Sequence, residues 1–203
     1  MTPSQSPVSI IWLDKTESTN KCIREAFESS DNLSVIAATE QLAGRGQGDH
    51  TWHSLRGQNL TFSMLFKPSG MEAKDIQLIS CAVTLGILDY LKSEGIQNCR
   101  IKWPNDIWVG DKKICGILIE NILDGTFVKG SIIGIGFNLN QDHWPPELPN
   151  PISLKQLSGK CYDPHAELKI LTEKICRRLA HTDYDDGRKE LQEEFGKNVF
   201  RLT

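Results

Sequence analysis

The sequence has no basic excess, no paired cysteines and no long apolar run, and each absence argues against a class of protein. Its 203 residues carry a net charge of −3, whereas nucleic-acid-binding domains usually present a basic face. Its six cysteines include no Cys-x-x-Cys pair, so we expect reduced thiols in the cytoplasm rather than a disulfide framework. Residues 1–7 are polar and no apolar run approaches the length of a membrane span, which predicts neither a signal peptide nor a membrane anchor.

The remaining composition is that of one globular domain, with 39% hydrophobic and 24% charged residues. Periodicity predicts strands at 8–13, 34–39, 59–67, 107–109, 114–120, 127–139 and from 199, helices at 18–27, 76–91, 165–179 and 185–197, and a proline-rich connection at 142–164. The strands come in hairpins rather than in strict β-α-β alternation. We therefore expect an α+β fold with a mixed, largely antiparallel central sheet and helices mainly on one face.

A lysine stands directly in front of a proline turn, on backbone that its neighbours restrict. Pro104 disfavours helical φ and ψ at Trp103, so Lys102 should end a strand. A hairpin follows, with Lys112 and Lys113 at its tip. A cation fixed beside apolar walls suits phosphate chemistry, although a lysine such as Lys102, taken alone, is more often a solvated strand-end residue.

The loop Gly44-Arg45-Gly46-Gln47-Gly48-Asp49 is the second chemical feature. Alternating glycines let the backbone approach a ligand and point N–H groups at an anion, and Arg45 is free to bind phosphate or carboxylate. Asp49 stands where a dinucleotide-binding fingerprint needs its third glycine. By itself the loop is a weak signal, and its composition is more typical of a flexible surface segment than of a binding site.

Two histidines, His50 and His53, follow three residues apart in this loop. They have no cysteines or carboxylates in metal-ligand order around them, so we expect no metal site formed by protein residues.

Seven motifs in a fixed order resemble the catalytic domain of biotin–protein ligases (biotin–[acetyl-CoA carboxylase] ligases). The motifs are Ser18-Thr19-Asn20, residues 41–46, Trp52, residues 58–60 with Ser63, residues 102–106, residues 112–120 and residues 134–140. The resemblance covers roughly residues 10 to 180. Its most specific parts are the Gly-Arg-Gly loop (residues 44–46) and the segment at residues 102–106, here called the lysine strip. It implies a fold like that of class II aminoacyl-tRNA synthetases and biotin ligases.

The resemblance implies a two-step, ATP-dependent reaction. Biotin is activated as biotinyl-5′-AMP and is then transferred to a lysine of a biotin carboxyl carrier protein. The implied substrates are biotin and ATP, with Mg²⁺ held mostly by phosphates and water. The implied partner is the carrier domain of a biotin-dependent carboxylase, with no DNA and no membrane, for a cytoplasmic monomer or homodimer.

The same resemblance assigns roles to individual residues. It makes Lys102 and Arg45 catalytic. It places biotin against Ser18, Thr19, Asn20, Gln41, Gly44, Arg45, Gly46, Lys102 and Gly116. It places ATP and the adenylate against Arg45, Gln47, Trp52, Asn105, Lys113 and Asn138.

Two residues depart from the family pattern. Many members have arginine where this chain has Gln47, and glycine where it has Asp49. Both changes should weaken the hold of the loop on an anion, and we expect the adenylate to be retained less tightly.

The expected division of the chain is a catalytic domain at 1–182 and a terminal helix at 183–203. That helix would lead toward an SH3-like domain that is absent or truncated. Three alternatives stay open: a lipoate-type ligase acting on a carrier lysine, a non-catalytic biotin-binding protein, and a DNA-binding repressor. The strand that begins near residue 8 leaves no room for a preceding helix-turn-helix, which disfavours the repressor.

Overall fold

An eight-stranded sheet forms the centre of the computed structural model, which describes residues 8–48 and 50–200. The strands are β1 (Ile10–Thr16), β2 (Val35–Gln41), β3 (Leu60–Phe66), β4 (Cys99–Lys102), β5 (Asp106–Val109), β6 (Lys112–Asp124), β7 (Phe127–Phe137) and β8 (Val199–Phe200). Their spatial order is β1-β2-β3-β7-β6-β5-β4-β8. The outermost pairs β1–β2 and β4–β8 are parallel and the pairs between them are antiparallel. The predicted mixed, largely antiparallel sheet is confirmed.

Helices cover both faces of this sheet unequally. They are α1 (Thr19–Glu25), α2 (Gln77–Ser93), α3 (Leu154–Ser158), α4 (Pro164–Leu179) and α5 (Asp185–Asn198). Helices α2, α4 and α5 share the main core with one face of the sheet. Helix α1 lies on the opposite face, where Ile23 and Phe27 pack with Ile36, Leu65 and Ile132. The expectation of helices mainly on one face is confirmed, with α1 as the exception that later borders the site.

Helix α2 is the central helix of the core, and most of its side chains are buried. Gly86 lets α4 approach closely, because a Cβ there would lie 2.7 Å from Cα of Ile175. The span Ala73–Ser93 is long and apolar enough to cross a membrane by length and composition, which corrects the expectation that no run approaches that length. However, 67% of its apolar window is buried inside the domain, as expected of a core helix.

The connection at 142–164 contains a helix that periodicity did not predict. Helix α3 is only five residues long, too short to show a 3.6-residue repeat. A capping box begins it: the Ser153 side chain accepts from the Gln156 backbone N–H, and the Gln156 side chain accepts from the Ser153 backbone N–H. The Ser-x-x-Gln spacing that announces this box is present in the sequence.

The segment after residue 183 packs into the same core as the rest. Leu191 and Phe195 of α5 are buried there, and Arg178 of α4 binds carboxylates of both Asp89 and Glu194. Strand β8 then pairs with β4. The division at 182 stays a prediction, and residues 1–7, Asp49 and 201–203, on which parts of the sequence expectations fall, lie outside the described residues.

Candidate active site

A cavity of about 270 Å³ opens on the face of the sheet that carries α1. Its floor comes from β6 and β7, and its walls come from the start of α1, the loop around residues 45–52 and the segment 102–106. This volume is near the lower end of the range for ligand pockets, so the cavity suits a small molecule. Three chemically distinct parts line it: a glycine floor, a polar corner and a cationic end.

The glycine floor is formed by Gly116 of β6 and Gly136 of β7, which are direct partners in the sheet, together with Gly134. The Trp52 indole lies against this floor. A Cβ on Gly136 would lie 2.5 Å from Cδ2 and 2.6 Å from Nε1 of Trp52, and one on Gly116 would lie 2.9 Å from Cζ3. Real Cβ atoms do not approach so closely, so only glycine lets the indole rest on the strand backbone.

The polar corner is a hydrogen-bonded network at the start of α1. Gln41 Oε1 accepts from the Thr19 backbone N–H at 2.7 Å and from Thr19 Oγ1 at 3.0 Å. Ser63 Oγ lies 2.7 Å from Thr19 Oγ1 and 2.5 Å from Asn20 Oδ1. Ser18 occupies the N-cap position, but its side chain makes no cap hydrogen bond. The Ser-Thr-Asn motif is therefore committed to the cavity more than to capping.

The cationic end collects three side chains of the described residues that line the cavity: Arg45, Lys102 and Lys113. Lys113 Nζ lies 2.8 Å from Asp106 Oδ1 and 5.7 Å from the centre of the Trp52 ring. A Cβ on Gly116 would lie 3.2 Å from Lys113 Nζ. Lys113 therefore reaches onto the floor itself.

Lys102 stands closer to the edge of the same cavity. Its Nζ lies 4.7 Å from the centre of the Trp108 ring, whose cation–π attraction restrains it. The next residue, Trp103, is joined to Pro104 by a cis peptide bond. Its backbone N–H donates to the Phe200 carbonyl at 2.9 Å. The side chain of Asn105 donates to the Ile117 carbonyl. The lysine strip is thus tied to both β6 and β8.

An irregularity in strand pairing explains why Lys113 reaches the floor. Ile107 pairs with Cys115, but the next residue of β5, Trp108, pairs with Lys113, so Ile114 is left unpaired. An extra residue of this kind is a β-bulge, and it reverses the in–out alternation on one side of it. Ile114 and Cys115 are consequently both buried in the core, and Lys113 shares the face of Gly116.

The loop after Gly44 folds back on itself as a small hairpin. Arg45 bridges to Thr51, the Gly46 N–H donates to the His50 carbonyl at 2.7 Å, and the Trp52 N–H donates to the Gly44 carbonyl at 3.0 Å. These bonds hold Trp52 over the floor. They also carry Arg45 across to Glu120 Oε1, at 3.6 Å.

The structure brings most of the predicted site residues together. Those that line the cavity are Ser18, Thr19, Asn20, Gln41, Arg45, Gly46, Gln47, Trp52, Lys102, Asn105, Lys113 and Gly116. Two are not among the described lining residues. Gly44 packs against the Trp52 carbonyl, because a Cβ on Gly44 would lie 2.6 Å from that carbonyl oxygen. Asn138 is buried, and its Nδ2 donates to the carbonyls of Lys113 (3.2 Å) and Ile152 (3.0 Å), so its contact with an adenylate stays a prediction.

Sequence reasoning gave no role to three residues at the site. Ser63 joins Thr19 to Asn20, and Asp106 pairs with Lys113. Glu120 pairs with Arg45 and accepts from Asn20. Glu120 could have been found, because residues 116, 118 and 120 of one strand point to the same face and Gly116 was already assigned to the pocket.

The described residues that line the site include no group of three potential metal ligands and no cysteine. Within residues 8–48 and 50–200, no three His, Cys, Asp or Glu side chains lie close enough together to hold a metal ion. Cys115 is fully buried, and burial raises the pKa of its thiol. A buried thiol of this kind is inert, because the thiolate is the reactive form.

The fold and the cavity define an α+β domain with a site of small-molecule size that is polar at one end and cationic at the other. Comparison with known sequences identifies the family. The chain belongs to the biotin/lipoate A/B protein ligase family, whose model matches residues 12–138.

Individual relatives agree with this assignment. The chain is 34% identical over 179 residues to the bifunctional ligase/repressor BirA of Bacillus spizizenii, covering 86% of this chain and 54% of that protein. It is 32% identical over 180 residues to the biotin–[acetyl-CoA-carboxylase] ligase of Paracoccus denitrificans, covering 84% and 73%. The chain thus spans about half the length of the Bacillus relative.

Solved structures confirm the fold. The biotin protein ligase of Aquifex aeolicus, in complex with biotin and ATP, superimposes with a TM-score of 0.80 and 26% identity. The match covers 95% of this chain and 78% of that one. The expected biotin-ligase-like fold is confirmed.

Proposed function

We propose that this chain catalyses ATP-dependent activation of biotin as biotinyl-5′-AMP and its transfer to a lysine of a biotin carboxyl carrier protein. One observation carries the proposal: a cavity with a polar corner at one end and three cations at the other. Biotin has the same polarity, with a ureido ring at one end and a carboxylate at the other. The relatives named as biotin ligases, and the Aquifex complex with biotin and ATP, support it.

The polar corner suits the ureido ring. Thr19, Asn20 and Ser63 are buried and mutually hydrogen-bonded, so their remaining donors and acceptors are fixed in direction before a ligand arrives. The Gln41 Oε1 accepts from Thr19, so the amide N–H donors of Gln41 remain for a ureido oxygen. Fixed polar groups of this kind reject a ligand that lacks matching ones.

The glycine floor and the Trp52 indole suit the thiophane ring and the valeryl chain. Both are apolar, and the Trp52 indole that rests on the floor offers them an apolar wall. The carboxylate would then point toward Lys113 and Lys102.

In the first step, a carboxylate oxygen of biotin attacks the α-phosphorus of ATP, and the bond to the pyrophosphate oxygen breaks. Negative charge grows on the α-phosphate, so fixed cations stabilise the transition state more than the ground state. The cations also hold two anions together that would otherwise repel each other. Mg²⁺ enters with ATP as part of the substrate. Asp106, the only carboxylate among the described lining residues, is paired with Lys113, so phosphates and water supply most of the Mg²⁺ ligands.

In the second step, the neutral amine of the carrier lysine attacks the acyl carbon of the adenylate. An amide forms, AMP leaves, and the amine loses a proton. The carrier domain, a monomeric or homodimeric state and a cytoplasmic location are parts of this proposal that rest on the family resemblance.

Two lysines share the catalytic role in this proposal. The sequence singles out Lys102 because its backbone is held on both sides. The geometry adds Lys113, since its Nζ lies against the floor where the carboxylate would arrive. Arg45 completes the set from the loop.

Pyrophosphate exchange tests the function. Purified protein with ATP and labelled pyrophosphate should form labelled ATP when biotin is added and not when lipoate is added. Exchange with lipoate alone would establish the lipoate-type ligase instead. Biotin binding without exchange would establish a non-catalytic binding protein.

Substitution of the lysines tests their roles in the same assay. Lys102→Ala and Lys113→Ala should each slow biotin-dependent exchange about 10²–10³-fold, as loss of one charge-stabilising donor does. Lys112→Ala is the matched control, because Lys112 is the exposed neighbour and is not among the described lining residues. Near-normal exchange in either variant would remove that lysine from the proposed mechanism.

A further inference from the structure

Glu120 is an acidic residue placed beside a site for anions, and it contacts three groups on two separate elements. Its Oε2 accepts from Asn20 Nδ2 at 2.8 Å. Its Oε1 lies 3.2 Å from a guanidinium nitrogen of Arg24 and 3.6 Å from one of Arg45. The Glu120 side chain is 21% exposed, whereas Arg45 is 61% exposed.

The two oxygens of this carboxylate serve different partners. Oε2 contacts the polar corner. The Asn20 side chain accepts from Ser63 at its Oδ1 and donates to Glu120 from its Nδ2. This fixes which end of the Asn20 amide is donor and which is acceptor. Oε1 acts on the cationic end, because it gives Arg45 a counter-ion in the absence of a ligand.

We propose that Glu120 is a positioning residue that holds Arg45 in the ligand-free domain and releases it to the negatively charged part of the substrate. The inference deepens the proposed function and rests on it. Arg45 exchanges one carboxylate partner for an anion of the ligand, and Glu120 keeps Asn20 and Arg24. Loop 45–52, which carries Arg45 on its hairpin, is tethered to β6 until the exchange occurs.

Substitution of Glu120 should affect anion binding in the opposite direction to substitution of a purely structural residue. Glu120 competes with the ligand for Arg45. Removing its charge while retaining an oxygen acceptor for Asn20 should therefore strengthen anion binding. A residue that merely supports the pocket would weaken binding when changed.

Glu120→Gln makes this change, since the glutamine oxygen still accepts from Asn20. The probes are biotinyl-5′-AMP, which is anionic, and biotinol, in which an alcohol replaces the carboxylate. Both carry the same ring, so the ratio of their affinities cancels effects at the polar corner. An exposed ion pair contributes up to about 1 kcal/mol, so the ratio should rise about two- to fivefold in favour of the adenylate.

Two further variants identify the partner. In an Arg45→Gln background, Glu120→Gln should leave the ratio unchanged, because the competition is gone. Arg24→Gln removes the ion pair on α1 alone and should not raise the ratio. An unchanged or lower ratio in Glu120→Gln, or a rise that persists without Arg45, would overturn the inference.

A measurement without ligand separates this inference from the proposed function. Loss of the tether should speed hydrogen exchange at the hairpin amides of Gly46 and Trp52 in Glu120→Gln and not in Arg24→Gln. If the wild type bound neither probe, the proposed function would fail. If it bound both while the ratio and the exchange rates stayed unchanged, only the role of Glu120 would fail.

Discussion

Adding one methyl group to the glycine floor should disable the site far more than it destabilises the fold. In Gly136→Ala, the new Cβ would lie 2.5 Å from Cδ2 of Trp52 and 2.6 Å from Nε1. Carbon atoms in contact prefer about 3.5 Å or more, so one side must move by about 1 Å. Gly136 is paired on both sides, with Thr61 and with Gly116, so the indole moves instead.

The expected magnitudes follow from where the displaced ring lies. A misplacement of about 1 Å at a reacting centre can slow a reaction about 10²-fold, which corresponds to about 2.7 kcal/mol of activation free energy. Trp52 is half-buried on a loop, so the overpacking should reduce the free energy of unfolding by only about 1 kcal/mol. Biotin-dependent pyrophosphate exchange and urea denaturation measure the two quantities.

Two matched substitutions show whether the indole is responsible. Gly196→Ala adds the same methyl group where nothing lies within 4 Å, and in helix α5 it should raise stability by about 1 kcal/mol without changing activity. In a Trp52→Ala background, Gly136→Ala should cause little further loss, because the clash is gone. Full activity of Gly136→Ala, or an equal loss with and without Trp52, would refute the steric argument.

Two other predictions concern the loop and the core. Gln47→Arg adds a cation to the cavity wall and should slow dissociation of biotinyl-5′-AMP, measured by release of labelled adenylate; equal rates in wild type and variant would contradict the role of Gln47. Burial raises the pKa of Glu167, which accepts from the Tyr90 hydroxyl at 2.6 Å. Its stabilising contribution is therefore complete below the unfolded pKa and is lost as pH rises through the folded pKa. Glu167→Gln stays neutral, so urea denaturation should show it gaining stability relative to the wild type between pH 4 and pH 7. A pH-independent difference would contradict this.

The sheet and its long helices were predictable because each shows its period within a short stretch of chain. The strand at 59–67 and the helix at 76–91 appear as β3 and α2 with small shifts at their ends. Helix α3 was missed because five residues contain little more than one helical turn. Its boundaries are set by the capping box, which is a local hydrogen-bond pattern and not a hydrophobic one.

The members of the site were predictable from their order along the chain, but their directions were not. A strict alternation along β6 places Lys113 and Gly116 on opposite faces, since their numbers differ by three. The bulge at Ile114 reverses this alternation, and it arises from pairing with β5, which no single strand specifies. Lys113, the lysine that reaches the floor, was therefore assigned from sequence only to binding ATP and the adenylate.

The network at Glu120 shows the same limit over a longer distance. Asn20 and Glu120 are 100 residues apart in sequence, and they meet because α1 lies over the central strands on the less covered face of the sheet. Neither residue has a local pattern that requires the other. Once the placement of α1 is known, the polar side of its first turn must find partners on β3 and β6, because buried amides left unpaired cost free energy. Ser63 and Glu120 are those partners, so the polar corner follows from the position of one short helix.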